Sequence, residues 1–290
     1  MRKLTALLVL TFSTIVANFA ADSSSAGANS ERELIVPKEV IHLFNGRDLS
    51  SFYTWLVDFH RDDPHRVFTV VDQVDGAPAI RISGQFFGGL YTKQRFANFR
   101  LVAEFRWGLA TWGGRTNATK DSGVLLHGQG RDGNYLSKNF NGPWMRSYEF
   151  QIIQGGVGDL LVLGGYEPDG RIEKYFATVT VVKDRDGEPC WDAKGEAKVF
   201  ETGRVNWWGR DSDWADKLGY RGQKDVESPG GEWTHIEAVC DGDTLDYFVN
   251  GKRVNQATHL SHQSGQLIIQ SEGAEIYFRR IELHPLPDRK

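Results

Sequence analysis

Tyr148-Glu149-Phe150-Gln151-Ile152-Ile153 decides the fold. Tyr148, Phe150 and Ile152 fall on one side, and Glu149, Gln151 and Ile153 on the other. That period of two belongs to a strand with one face in a core. Asn98–Trp107 (NFRLVAEFRW) repeats it, with Phe99, Leu101, Ala103, Phe105 and Trp107 opposite Arg100, Val102, Glu104 and Arg106. In Ser122–His127, Leu125 and His127 lie opposite Val124 and Leu126. Further strands are predicted at Trp233–Cys240, Thr244–Val249, Gln266–Gln270 and Ile276–His284. Asn250-Gly251 predicts a tight hairpin, because both residues tolerate positive φ. No strong 3.6-residue period appears past the N-terminal leader, so any helix is short. Short strands separated by Gly, Asp and Asn turns predict an all-β sandwich of two antiparallel sheets.

The chain has 290 residues, 40% hydrophobic and 25% charged, which suits one large domain with a substantial core. Met1-Arg2-Lys3 followed by apolar Leu4–Ala17 reads as a signal peptide over residues 1–20, with cleavage near Ala20. The apolar run is too short to span a bilayer, and no later segment is apolar enough, so no membrane association is expected once the leader is removed. The expected location is periplasmic or extracellular. Residues 21–32 read as a flexible linker and 33–290 as a single domain. Residues 184–231, rich in Gly, Asp, Lys and Trp, break the strand rhythm and read as a long loop insertion walling the binding face. The net charge of −4 without a basic run argues against nucleic acid. Cys190 and Cys240 are either a disulfide or two separate thiols. No metal-ligand spacing is present and no cofactor is predicted, although a divalent ion such as Ca²⁺ is left open.

Several short motifs in order resemble one family. They are Leu43-Phe44-Asn45-Gly46-Arg47-Asp48-Leu49, then Gly89-Leu90-Tyr91-Thr92 with Phe96–Leu101 and Glu104-Phe105-Arg106. Asp121-Ser122-Gly123-Val124 and Ser147–Ile152 follow, then Glu232-Trp233-Thr234, Asn250-Gly251 and Phe278–Leu283. Together they resemble the 3-keto-disaccharide hydrolase domain family, from about Ile41 to Leu286. The resemblance implies a concanavalin A-like jelly roll and activity on sugars oxidised at carbon 3. His127 stands where the family often carries Arg, which is a departure.

Sandwiches of this kind bind glycans on a concave sheet face. If the three quoted strands are neighbours, Glu104, Arg106, His127, Glu149 and Gln151 line that face. Glu149–Gln154 also resembles the E-x-D-x-x-E strand of laminarinase-type glycosidases, but Gln151 and Gln154 replace the later acids, so ordinary retaining hydrolysis lacks its partner carboxylate. A 3-keto sugar needs less: its carbonyl acidifies the C2 proton, one base removes it, and the C1 substituent leaves by β-elimination before water adds. Glu149 or His127 is the expected base, with Arg106 and Gln151 holding the enolate or hydroxyls. Glu104, Asp121, Trp144 and Asp159 are expected substrate contacts, and Tyr135 and Lys138 further rim residues. The alternative is a non-catalytic carbohydrate-binding module. A 3-keto substrate would also require a sugar 3-dehydrogenase as functional partner.

Overall fold

Phe99–Thr111 forms a strand of thirteen residues in the computed structural model, which describes residues 32–287. The signal-peptide reading, and nearly all of the linker reading, lie outside the described residues. Phe99, Leu101, Ala103, Phe105 and Trp107 all enter the core, as the period of two requires. On one side this strand pairs antiparallel with Thr234–Asp241, and on the other with Ala274–Pro285. Lys252–Ala257, Thr244–Val249, Ala77–Ile82 and Phe68–Val74 extend the sheet, and Ile41–His42 completes its eight strands.

The second sheet has seven strands in the order Gly203–Val205, Leu160–Leu163, Arg146–Ile153, Asp121–Gln129, Gln266–Ser271, Gly88–Thr92, Phe52–Leu56. All its neighbours are antiparallel. The two sheets close face to face as a jelly-roll sandwich. Phe150 from the seven-stranded sheet stacks on Tyr247 from the eight-stranded one, ring centres 4.3 Å apart. Each large side chain fully buried between the sheets contributes about 1.5–3 kcal/mol.

Local sequence explains the joints. Asn250 and Gly251 take φ of 47° and 76° and turn Thr244–Val249 into Lys252–Ala257, as the dipeptide predicts. Gly113–Arg115 is the one helical turn among the described residues, a 3-10 turn. It lies in the passage that carries the chain from the eight-stranded sheet to the seven-stranded one. No helix among the described residues is long and apolar enough to cross a membrane. Cys190 and Cys240 are free and buried.

The 184–231 stretch is not irregular throughout. Pro189–Trp191 and Glu196–Phe200 flank Ala177–Lys183 in a three-stranded sheet, and Gly203–Val205 edges the seven-stranded sheet. Residues 206–233 contain no strand.

Candidate active site

Glu149 and Gln151 project from Arg146–Ile153 away from the sandwich interior, while Tyr148, Phe150 and Ile152 fill it. Register then fixes their neighbours. Glu149 sits between Leu125 and Leu161, Gln151 faces Gly123, and Ile153 faces Asp121. Arg204 lies opposite Leu161 on the edge strand. This outer face is not left to water: segment 130–145 covers one half of it and segment 206–220 walls the other.

Glu149 is only 3% exposed. Burial pushes its carboxyl from an ordinary 4.5 up to about 8; the nearby Asp121 carboxylate adds to the rise and the Arg204 guanidinium opposes it. Gln270 stands next to it, completely buried; a hydrogen bond from its amide favours the ionised carboxyl, and no second partner satisfies that amide. A buried amide short of partners costs free energy unless something arrives to complete its bonding. Gly123 makes the arrangement possible. A Cβ at that position would overlap Gln270 Oε1 and lie 2.8 Å from Glu149 Oε1.

Two further acids share this region. Asp121 pairs with Arg115 through Oδ2 and leaves Oδ1 unpartnered. Burial lifts its carboxyl to about 6 against the pull of that guanidinium. Glu272 is also raised, by burial and by the charges of Asp121 and Glu149. Asp121, Ile153, Arg115 and Arg204 line a cavity of about 380 Å³ together with Arg210, Asp211, Trp214 and Asp216. That volume suits a small sugar. Glu149 is not on the cavity wall itself, but its electrostatic neighbours Asp121 and Arg204 are.

The far wall is anchored to the sheet. Asp159, with no exposed surface, accepts from Trp207 N at 2.8 Å and pairs with Arg204 at 3.2 Å and with Arg210. Gln154 Oε1 accepts from Lys120 N and Gly219 N, both at 3.0 Å, and its carbonyl oxygen accepts from Trp214 Nε1 at 2.9 Å. The residue that replaces a glycosidase acid is therefore a clamp for the wall. Further along the same segment, Glu227 accepts from Trp107 Nε1 at 2.6 Å, and burial, with Asp225 adding, pushes its carboxyl to about 8.

The other half of the face is aromatic. Trp55, Tyr91, Leu125, Trp144, Leu163 and Ile268 cluster there, with Tyr53, Tyr135 and Leu161 packed against them. Trp55 Nε1 donates to Gly142 O at 2.9 Å and Trp144 Nε1 to Gly88 O at 2.8 Å, stitching segment 130–145 onto the strands.

The structure brings Glu149, Gln151, Asp121 and Trp144 to this face and separates the others. Glu104 and Arg106 belong to the eight-stranded sheet and point outward from it. Glu104 meets Arg279 at 2.6 Å, and Arg106 pairs with Asp75. Their alternation holds, but Phe99–Thr111 is no neighbour of Asp121–Gln129, because the chain changes sheets between them. His127 also leaves the face. An extra residue in its strand shifts the register against Tyr148 and Arg146, and His127 takes φ of 56°. This β-bulge turns the imidazole inward, against the rings of Phe99 and Tyr148. Neither ring nitrogen has a partner, and burial lowers its pKa to about 3, so it stands neutral and cannot serve as the base on this face. Asp159 lies beneath the wall, not on the rim.

Gln270, Glu272, Arg115 and Arg204 were not singled out from sequence. Gln266, Ile268, Gln270 and Glu272 do continue one face of a period-two run, which was a usable signal. The two arginines lie in a turn and a three-residue edge strand that carry no period. Among the described residues no group of three or more His, Cys, Asp or Glu side chains is arranged to hold a metal ion.

A family model described as the 3-keto-alpha-glucoside-1,2-lyase-like domain matches residues 39–284. Among curated proteins none matches significantly. Among solved structures, a protein from Parabacteroides distasonis provisionally named a glycosyl hydrolase is 15% identical, with 86% of this chain and 94% of that one covered and a TM-score of 0.47. A mixed-linkage glucan enzyme of Bacteroides ovatus is 9% identical, covering 85% and 99%, with a TM-score of 0.41. A carbohydrate-binding module of Bacillus subtilis is 12% identical, covering 74% and 91%, with a TM-score of 0.38. The family match, and not these likenesses, carries weight for function.

Proposed function

The chain belongs to the 3-keto-alpha-glucoside-1,2-lyase-like domain family, and from that premise we propose that it cleaves glycosides already oxidised to a ketone at carbon 3, with Glu149 as the base. The observation that carries this reading is a buried carboxyl whose affinity for protons is raised to about 8, beside a buried amide with bonding capacity to spare. A base working near neutral pH is most effective when its pKa lies close by. Ionised Glu149 removes the proton on C2, which the adjacent carbonyl has made acidic. The electron pair moves toward the C3 oxygen, and the Gln270 amide donates a hydrogen bond to the enolate so formed. Collapse of the enolate forms the C1–C2 double bond and expels the group on C1. Addition of water to C1 completes net hydrolysis.

The alternative, a binding module without chemistry, would not need an acid buried at such a cost in charge. A sugar 3-dehydrogenase is the implied supplier of the ketone, and the N-terminal leader supports an exported protein. The deciding experiment incubates the full chain with 3-keto and unmodified glucosides, with and without a chelator. Aglycone release from the oxidised sugar alone is expected. Equal release from both, or from neither, would remove this reading. The chelator arm reports whether a divalent ion takes part.

A further inference from the structure

Tyr135, in the aromatic half of the covered face, keeps a polar end without a partner among the described residues. Its ring stacks on Trp144, centres 6.0 Å apart and planes 28° from parallel. Its backbone is fixed, with N–H donating to Trp144 O at 3.0 Å. Like Leu161, it packs against the cluster containing Leu125, and Leu125 and Leu161 are the two cross-strand neighbours of Glu149. The ring therefore lies within electrostatic reach of the proposed base. Other tyrosines of this face spend their hydroxyls on protein: Tyr53 donates to Asp132 at 2.7 Å and Tyr91 to Pro143 O at 3.2 Å. Among the described residues the Tyr135 hydroxyl has no partner, and the side chain is only half-buried. Burial, and the charges of Glu149 and Glu272, hold its pKa above the ordinary 10. The phenol thus keeps its proton at working pH.

We propose that Tyr135 is the proton donor to the leaving oxygen. This rests on the 3-keto-glycoside reading and supplies its missing acid. Glu149 takes the C2 proton, and that C–H pair becomes the C1–C2 double bond, conjugated with the C3 carbonyl. The C1–O pair departs with the aglycone oxygen, which accepts the phenolic proton. The proton held by Glu149 returns to the tyrosinate, directly or through one water. One glycoside yields one enone and one alcohol, and no oxidant or co-reactant is consumed. Where water adds before that return, the same two groups act in reverse: the tyrosinate draws the proton from the incoming water as its oxygen bonds C1, and protonated Glu149 delivers its proton to C2.

The test compares wild type with Tyr135→Phe on two 3-keto glucosides, one with a 4-nitrophenyl aglycone and one with a methyl aglycone. The Phe variant keeps the stack on Trp144, and equal melting temperatures verify it. A poor leaving group needs the acid and a good one does not. The variant should lose about 100-fold or more on the methyl glucoside and only a few-fold on the nitrophenyl one. Exchange of the C2 hydrogen with D₂O should continue at the wild-type rate. A methyl glucoside rate left intact, or equal losses on both substrates, overturns the assignment. Wild-type protein inert toward both 3-keto sugars would instead refute the underlying reading, so the two failures are distinguishable.

Discussion

Glu104 and Glu149 occupy equivalent patterns, each on the polar side of an alternating strand, yet their surroundings are opposite. Glu104 lies on the outside of the eight-stranded sheet, with Arg279 at 2.6 Å and His235 and Arg280 both at 3.8 Å. Glu149 lies on the outside of the seven-stranded sheet, among two further acids, under segments that exclude water. The difference lies in the covering. Short hairpins leave the eight-stranded sheet open, and a partly buried acid there recruits cations. Long connections fold over the seven-stranded sheet, and a covered acid there is forced toward its neutral form. One pattern thus yields a solvated ion pair in one place and a tuned proton acceptor in the other.

The contrast is broken most directly by removing each acid. Glu149→Gln should lower kcat on a 3-keto glucoside by about 10³-fold, within the usual range for a general base, while Glu104→Gln stays within about twofold of wild type, as surface changes generally do. Comparable losses in the two variants would erase the distinction. Gly123→Ala should come next. Its methyl would overlap Gln270 and Glu149, so a loss of about 100-fold in kcat/KM is expected together with about 1–3 kcal/mol of stability, read by kinetics and denaturant unfolding.

The pH dependence sharpens the comparison further. The folded chain keeps the Glu149 proton between 4.5 and about 8, where the unfolded chain has released it. The associated stability is therefore greatest below pH 4.5 and declines as pH rises toward 8, by about 1.4 kcal/mol per pH unit for a single group. Activity should run the other way, with kcat/KM climbing to a plateau through an apparent pKa of about 8. Glu149→Gln should melt higher than wild type at pH 8 and lose the activity limb. Glu227, also near 8, leaves a residual slope in the variant. Melting curves at pH 5 and 8 check both signs.

The smallest effect concerns the wall. Gln154→Leu removes the acceptor shared by Lys120 N and Gly219 N and should raise KM by roughly three- to tenfold with kcat little changed, since only uniform binding is lost. Gln154→Glu keeps two acceptor oxygens and should behave as wild type. A Glu variant as impaired as the Leu variant would show that the clamp is not what matters.

Much of this was legible from sequence. The strands Phe99–Thr111, Asp121–Gln129, Arg146–Ile153, Thr234–Asp241, Thr244–Val249, Gln266–Ser271 and Ala274–Pro285 follow from alternation, the hairpin from Asn250-Gly251, and the outward aim of Glu149 from its place opposite Tyr148 and Phe150, whereas Leu160–Leu163, Ala177–Lys183 and the short strands of 184–231 were not read. Sheet membership was not legible, because alternation says which residues share a face and nothing about which strands share a sheet; Glu104 and Arg106 were misplaced for that reason. His127 was misplaced because one inserted residue reverses parity locally, and nothing in Leu125–Gln129 announces it. Arg204 and Arg115 were invisible because tertiary contacts, and not local periodicity, bring them to Asp121 and Asp159.

The two buried, unbonded thiols have a consequence for how this chain can be made. Cys190 and Cys240 sit in separate strands with almost no accessible surface, so closure of the sandwich waits on no oxidant. The native state should form as readily in a reducing cytosol as in an oxidising one, and reductant should leave recombinant yield untouched.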